Sequence, residues 1–182
     1  MALVSVDTIM GRVPQAANVD SEVLEDAIAE AQGLADGACK RALESAAYTE
    51  YHDIGWGQSV VALRNSPVTG TTTVTAGGVA LAADTGYLLD TANGILSSLV
   101  GLPAGPRKLA VAYTAGYTEA TCPAGLRRVL LQIVGWVLES SGNSGASSEG
   151  QDGYSVTYQD LRDGLPEGLW QLLQPWRQVV IG

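Results

Sequence analysis

The sequence predicts an α+β fold, in which a small helical bundle carries an inserted β region. Two long helical patterns, at about residues 20–43 and 124–140, bracket a series of short β-type segments at about residues 48–118. A short third helix follows. Because helix and strand signals are grouped along the chain and do not alternate, they favour α+β over a parallel α/β sheet. The 182 residues fit a single domain with this insertion and a C-terminal tail at 174–182.

The first long helix has a start signal, an apolar stripe and a stop signal. Asp20 or Ser21 can cap it, and Glu22 and Glu25 place negative charge near the positive end of its dipole. Lys40 and Arg41 suit the opposite end. One stripe at three- and four-residue spacing is apolar and rich in alanine, so another helix can approach it closely: Leu24, Ala27, Ile28, Ala31, Leu34, Ala35, Ala38 and Ala42. A short helical turn at 5–10 precedes this helix.

The β region consists of short runs separated by turn residues. Gly77-Gly78 and Asn93-Gly94 are turn signals, and the second is typical of a hairpin. The predicted strands are Glu50–Asp53, Ser59–Leu63, Thr71–Thr75, Val79–Leu81, Gly86–Leu89, Ile95–Ser97 and Lys108–Thr114.

The second long helix opens after Pro123, a residue well suited to a first helical turn. Its broad apolar face predicts extensive burial. A polar Gly/Ser-rich loop is predicted at 141–153, with a short strand or extended arm at Tyr154–Tyr158 and a short helix at Pro166–Leu173.

The net negative charge argues against a protein that binds nucleic acid through its phosphates. Lys plus Arg number 10 and Asp plus Glu number 19, for a net charge of −9, and such a surface repels phosphate backbones. The balance remains compatible with a protein past which DNA slides. No signal peptide and no membrane-spanning stretch is evident, so a soluble protein made in the cytoplasm is expected. Cys39 and Cys122 are expected to be free thiols, although a disulfide stays open at this stage.

The sequence offers little for catalysis. His52 is the only histidine, interpreted as a surface or hairpin residue, and no nucleophile motif accompanies it. Gly55-Trp56-Gly57 and the stretch 101–106 lack the Gly-Lys-Ser/Thr of a phosphate loop. Clusters with metal-ligand spacing are missing from the sequence as well. We therefore expect no enzymatic activity, no metal and no cofactor.

The C-terminal end is unusually apolar. Arg177 lies among these residues, and Trp and Arg often dominate the energy of interfaces. An exposed apolar patch marks a partner surface, whereas the alternative is that the tail folds back onto its own core. The apolar residues are Trp170, Leu173, Trp176, Val179, Val180 and Ile181.

Several short motifs, taken in order, resemble the head–tail connector proteins of long-tailed double-stranded DNA phages, also called adaptor or head-completion proteins. In that family an Ala-rich first helix ends in an Arg and a Leu-x-x-x-Pro-hydrophobic segment follows. A Val-x-Tyr-x-Ala-Gly-Tyr strand, a Pro that opens a second helix and a Leu-Leu-x-Pro-aromatic-Arg ending come next. The matching residues here are Lys40-Arg41, Leu63–Val68, Val111–Tyr117, Cys122-Pro123-Ala124 and Leu172–Arg177. The long stretch between Val68 and Gly105 is outside this pattern.

The resemblance implies a structural virion protein in the neck at the capsid vertex. Similar proteins form a ring, usually twelvefold, beneath the portal protein, and a stopper or tail-terminator protein binds below. Genome DNA passes through the channel without specific binding, and no membrane is involved. For this chain the resemblance suggests portal contacts through Trp170, Leu173, Trp176, Arg177, Val179, Val180 and Ile181. It suggests subunit contacts through Ala31, Ala35, Ala38 and Arg41. The resemblance does not cover the role of the β insertion, which we assign as a hypothesis to the outer rim or to the tail-side partner.

Two other functions stay open at the level of sequence. One is a glycan- or host-binding β module that uses Trp56, Tyr87 and Tyr117 as stacking platforms. The other is a tail-completion or stopper protein, a close relative of the connector reading.

Overall fold

The computed structural model describes residues 3–70, 72–141 and 161–178, together with two short strands at Gly150–Gln151 and Tyr154–Ser155. The chain divides into two compact units. A helical unit comprises residues 1–40 and 118–177, and a β unit comprises residues 41–117 and 178–182. The predicted α+β class, a helical bundle interrupted by a β insertion, is confirmed.

The helical unit contains four helices: α1 (Val6–Met10), α2 (Ser21–Cys39), α3 (Ala124–Ser141) and α4 (Glu167–Leu173). Short 3-10 turns at Pro14–Ala16 and Gln174–Trp176 complete it. Helix α2 packs against α3 and α4, and the Pro14 turn packs against α3. The shared core is built from the predicted apolar faces, and includes Leu24, Ala31, Ala35, Ala38, Leu126, Ile133, Leu165 and Leu173.

Helix α2 begins where the sequence predicts and ends about four residues early. Its last residue is Cys39, because Lys40 adopts a left-handed conformation with φ of 56°. The Lys40 N–H donates to the carbonyl groups of Asp36 and Gly37, which is a backbone cap of the helix end. Arg41 therefore belongs to the β unit and not to the helix.

The β unit contains seven strands in two sheets. They are β1 (Ala46–Ile54), β2 (Val60–Ala62), β3 (Thr73–Ala76), β4 (Val79–Leu81), β5 (Tyr87–Asp90), β6 (Ile95–Ser98) and β7 (Gly105–Ala115). One sheet has the order β1-β7-β3-β4 and the other the order β2-β6-β5, with all pairs antiparallel. One apolar core, which includes Val61, Val74, Leu96, Leu109, Val111 and Ala115, is formed by residues of both sheets.

All seven predicted strands are present, with shifted ends. The two longest, β1 and β7, exceed the prediction, because they pair with each other along most of their length. The two predicted turns are also present. Gly77 and Gly78, with φ of 58° and 87°, form the two-residue turn between β3 and β4. Gly94, with φ of 68°, ends the four-residue connection between β5 and β6, and its positive φ likewise favours glycine.

The polar loop predicted at 141–153 lies mostly outside the described residues. Of the predicted arm at Tyr154–Tyr158, only Tyr154–Ser155 is described; this strand, β9, pairs with β8 (Gly150–Gln151). Strands β10 (Leu161–Arg162) and β11 (Leu165–Pro166) form a further hairpin that leads into α4.

Candidate assembly surfaces

A buried polar cluster, here the Tyr113 cluster, consists of Glu50, His52, Tyr113 and the backbone N–H groups of Arg64 and Asn65. The Tyr113 hydroxyl donates to the Glu50 carboxylate and accepts from Asn65 N–H at 3.2 Å. Arg64 N–H donates to the same carboxylate at 3.1 Å, and His52 Nε2 lies 3.1 Å from Glu50 Oε2. The cluster ties the 64–65 loop to strands β1 and β7.

The cluster shifts the pKa values of Glu50 and Tyr113. Burial raises the pKa of Glu50, but hydrogen bonds from His52, Tyr113 and Arg64 N–H outweigh it, so that the pKa lies below its ordinary value. Burial and the nearby Glu50 carboxylate raise the pKa of Tyr113 well above its ordinary value. Glu50 is therefore a charged, well-hydrogen-bonded carboxylate inside the β unit, a structural role that stabilises a loop.

His52 is not the surface residue that the sequence suggested. It is on the inner side of β1, two residues from Glu50, and its side chain is only 16% exposed. Its alternation with Glu50 puts both side chains on one face of the strand. Through its contact with Glu50, His52 is therefore a member of the Tyr113 cluster.

Two of the motifs behind the connector resemblance, Leu63–Val68 and Val111–Tyr117, meet each other and Arg41 within the β unit, whereas Cys122-Pro123-Ala124 and Leu172–Arg177 belong to the helical unit. Arg41 donates to the carbonyl group and hydroxyl of Ser66, in the Leu63–Val68 motif. Gly116 N–H donates to Pro67 O at 2.9 Å, and Tyr117 N–H donates to Leu43 O at 2.7 Å. At Gly116, φ is 108° and an added Cβ would lie 2.4 Å from Glu44 O, so glycine is required there. These motifs therefore hold the two ends of the β unit together.

The alanine stripe of α2 is buried within the helical unit. Ala31, Ala35 and Ala38 are at most 1% exposed, because this face packs against α3 and α4. The stripe is thus used for close contacts within the subunit, and these three side chains are not available on its surface. Of the residues predicted for subunit contact, Arg41 alone is outside this core, and its guanidinium is bonded to Ser66.

Helix α4, at the start of the apolar C-terminal segment, is folded onto the helical unit. Leu173 is fully buried, and Trp170 is 7% exposed and donates from Nε1 to Asp163 at 3.1 Å. The guanidinium of Arg162 covers the Trp170 ring at 3.7 Å. For Trp170 and Leu173 the structure thus shows the alternative in which the tail packs on its own core.

The remaining tail residues are closer to the surface. Trp176 is half-buried and lies over Gly125 at the start of α3. Arg177 is exposed, with its guanidinium 5.7 Å from the Trp170 ring. Val179, Val180 and Ile181 lie outside the described residues.

A groove runs along the outer face of α3, here the α3 groove. Its volume is 930 Å³. Apolar and basic side chains dominate its lining, and a hydrogen bond between Gln15 and Glu139 closes one end. The lining comprises Arg12, Val13, Pro14, Gln15, Ala124, Arg127, Arg128, Leu131, Gln132, Gly135, Trp136 and Glu139. The α3 groove was not predicted from the sequence, because it brings Arg12 close to Arg127 and Arg128, which are distant from it along the chain.

The outward side of α2 carries the opposite charge. Glu22, Glu25, Asp26 and Glu30 are all exposed there. Within the part of the chain that the structure describes, none of the four forms an ion pair. This set, here the acidic α2 face, contributes no residue to the α3 groove.

The β unit has its own exposed apolar residues. Val60, Ser97 and Leu88 form one row across the outer face of the β2-β6-β5 sheet, in register, and the two apolar ones are about half exposed. Trp56 is 96% exposed at the tip of the β1–β2 connection, which Gly55–Gln58 hydrogen bonds hold in a defined turn. The sequence suggested Trp56, Tyr87 and Tyr117 as stacking platforms for a glycan. Tyr87 is buried and donates a hydrogen bond to Thr72 O, so these three side chains do not form a shared platform.

Two further observations concern the described residues only. They contain no group of three or more His, Cys, Asp or Glu side chains placed to hold a metal ion. None of the helices in the described ranges has the length and apolar character needed to cross a membrane. Cys39 and Cys122 are buried thiols that form no disulfide, and burial raises the pKa of Cys122.

Comparison with known proteins gives a structural likeness without a sequence family. No protein-family model and no curated protein sequence matches this chain. A chain in the neck of an empty gene transfer agent particle, computed with C6 symmetry, superposes with a TM-score of 0.64 at 20% identity over 98% of this chain and 91% of that one. A chain from the virion of the native particle gives 0.64 at 18%, again over 98% and 91%.

A third solved structure, the neck of the native gene transfer agent particle with C12 symmetry, has a similar chain. Its TM-score is 0.57 at 19% identity, over 100% of this chain and 96% of that one. At these identities the likeness establishes the fold, and it does so over almost the whole chain.

Proposed function

We propose that this chain is a structural subunit of a virion neck, where its copies form a ring beneath the portal and join the capsid to the tail or to the next neck protein. The observation that carries the proposal is the near full-length likeness to chains in gene transfer agent necks. The order of the sequence motifs supports it independently. In this location, no membrane contact is needed.

The electrostatics support a channel protein. With a net charge of −9 per copy, a ring multiplies the negative charge around its axis. Such a wall repels the phosphate backbone and leaves DNA free to move in either direction. Twelve copies is the number we propose, in keeping with the C12 symmetry of one similar neck.

Contact with the portal is assigned to the end of the chain. Arg177 is exposed and Trp176 half-buried, and the apolar residues Val179, Val180 and Ile181 follow them. Trp170 and Leu173 are buried inside the helical unit. They therefore hold this segment in place and do not touch the portal themselves. The β unit, with Trp56 at a loop tip, is assigned to the outer rim or to the tail-side partner.

The test is to mix the purified protein with the portal of its own particle and to image the product by electron microscopy. We expect a ring stacked on the narrow end of the portal. The variant R177E/I181D should abolish this binding without unfolding the protein, because the Arg177 side chain is exposed. The matched variant R64E/L99D has the same chemical changes at exposed positions of the β unit and should still bind.

Other outcomes would correct the proposal. A ring that binds only to a preassembled portal–adaptor complex would make the protein a stopper. Unimpaired binding of R177E/I181D would remove the portal assignment from the tail. Absence of any portal or neck complex would reject the neck function.

A further inference from the structure

We infer that the α3 groove binds the acidic α2 face of a second copy of this chain. This inference rests on the proposed ring and names the interface that would build it. The groove and the acidic α2 face both belong to the helical unit, they share no residue, and no ion pair among the described residues joins them within one copy.

The groove carries positive charge that the subunit does not neutralise. Arg12 and Arg128 are exposed, and neither side chain has a hydrogen-bond or ion-pair partner among the described residues. Arg127 is oriented by its hydrogen bond to Glu119 O. Three of the ten basic residues of an acidic protein thus line one groove.

The acidic α2 face supplies the complement. No Lys or Arg occurs between Arg12 and Lys40, whereas six acidic residues do. Exposed carboxylates at 22, 26 and 30 recur at four-residue spacing and therefore line one side of the helix. Unpaired anions on one surface and unpaired cations on another are the arrangement expected of two patches that meet between copies.

The groove also suits a helix more than it suits nucleic acid. Leu131 and Trp136 give it an apolar floor, and the carboxylate of Glu139 stands at one end. A floor of this kind packs against the side chains of a helix, whereas the overall charge of −9 opposes DNA. Because the two patches differ, the contact is heterologous, the type that closes into a ring.

The experiment uses charge reversal on each side of the contact. R12E/R128E makes the groove acidic, and D26R/E30R makes the α2 face basic. Each variant alone should assemble at least about tenfold less readily than wild type, because like charges then face each other. Assembly is measured as copies bound per portal by electron microscopy and as self-association by sedimentation velocity.

A one-to-one mixture of the two variants should restore assembly. In a ring of alternating copies, each acidic groove meets a basic helix and each unaltered groove meets an unaltered helix. The variant R64E/K108E changes the net charge as much as R12E/R128E does, at exposed positions outside the groove, and should assemble like wild type.

The outcomes separate this inference from the proposed function. If wild type forms a ring on the portal and both reversals do too, the interface is elsewhere and the neck function stands. If both reversals fail and their mixture also fails, the opposite-charge contact is rejected. If R12E/R128E rings form but no longer bind the portal, a portal segment occupies the groove. Charge-dependent self-association without any portal binding would uphold the interface and reject the neck function.

Discussion

Removal of the Tyr113 hydroxyl tests whether the buried polar cluster stabilises the β unit. Tyr113→Phe keeps the ring and deletes one hydrogen bond to a carboxylate and one from the Asn65 N–H. A hydrogen bond to a charged group contributes about 1.5–3 kcal/mol and a neutral one about 0.5–1.5 kcal/mol. We therefore expect a loss of about 2–4 kcal/mol, or a drop in Tm of roughly 5–15 °C for a chain of this size.

The pH dependence gives a second readout of the same substitution. The pKa of Glu50 is lowered in the folded protein, so its stabilisation is complete above the unfolded-state pKa and is lost as pH falls through the folded value. The pKa of Tyr113 is raised, so wild type loses stability as pH rises above about 10, where tyrosine ionises in the unfolded chain. Tyr113→Phe should weaken the acid dependence and remove this alkaline one.

Thermal and urea unfolding, followed by circular dichroism between pH 3 and 11, would measure both effects. The matched control is Tyr51→Phe, on the neighbouring strand β1, where the hydroxyl has no partner among the described residues and the ring keeps Arg107 above it at 4.2 Å. It should change stability by less than about 0.5 kcal/mol. A loss below that value for Tyr113→Phe, or an unchanged pH profile, would refute the structural role of the cluster.

Three further predictions concern the core, the backbone and the thiols. Leu173→Ala, at a fully buried tail position, should cost about 2–5 kcal/mol in urea unfolding; a near-neutral result would mean that the tail does not pack on the core. Gly116→Ala should give insoluble or unfolded protein, because its Cβ would overlap a backbone carbonyl group, whereas Gly33→Ala, in open space on α2, should add up to about 1 kcal/mol. Cys39 and Cys122 should resist a thiol reagent in the native protein and react together on denaturation, since both are buried; fast native labelling of either would contradict that burial.

Local patterns predicted most of the fold. The helices, the strands and both glycine turns follow from periodicity and turn chemistry, which act over a few neighbouring residues. The early end of α2 could not be predicted from such patterns. It depends on the left-handed conformation of Lys40, which glycine adopts readily and lysine rarely does. Strand β1 extends beyond its pattern because tertiary pairing with β7 extends it.

The candidate surfaces were harder to predict, because they depend on which distant residues meet. An apolar tail is compatible with an interface or with a core, and only the packing of Trp170 and Leu173 decides between them. An acidic residue on a strand is normally exposed, so nothing in the sequence marked Glu50 as buried. Arg12 lies in the turn after α1 and Arg128 lies on α3, and their meeting in one groove is a product of tertiary structure.

The main segment of the β unit runs from Arg41 to Tyr117, and its two ends are bonded side by side through Leu43, Ser45 and Tyr117. A segment whose ends are clamped together can change length or shape between them without moving the chain that enters and leaves. The long stretch between Val68 and Gly105 can therefore accept an insertion or a deletion while the hydrogen bonds that join the two ends of the segment are kept.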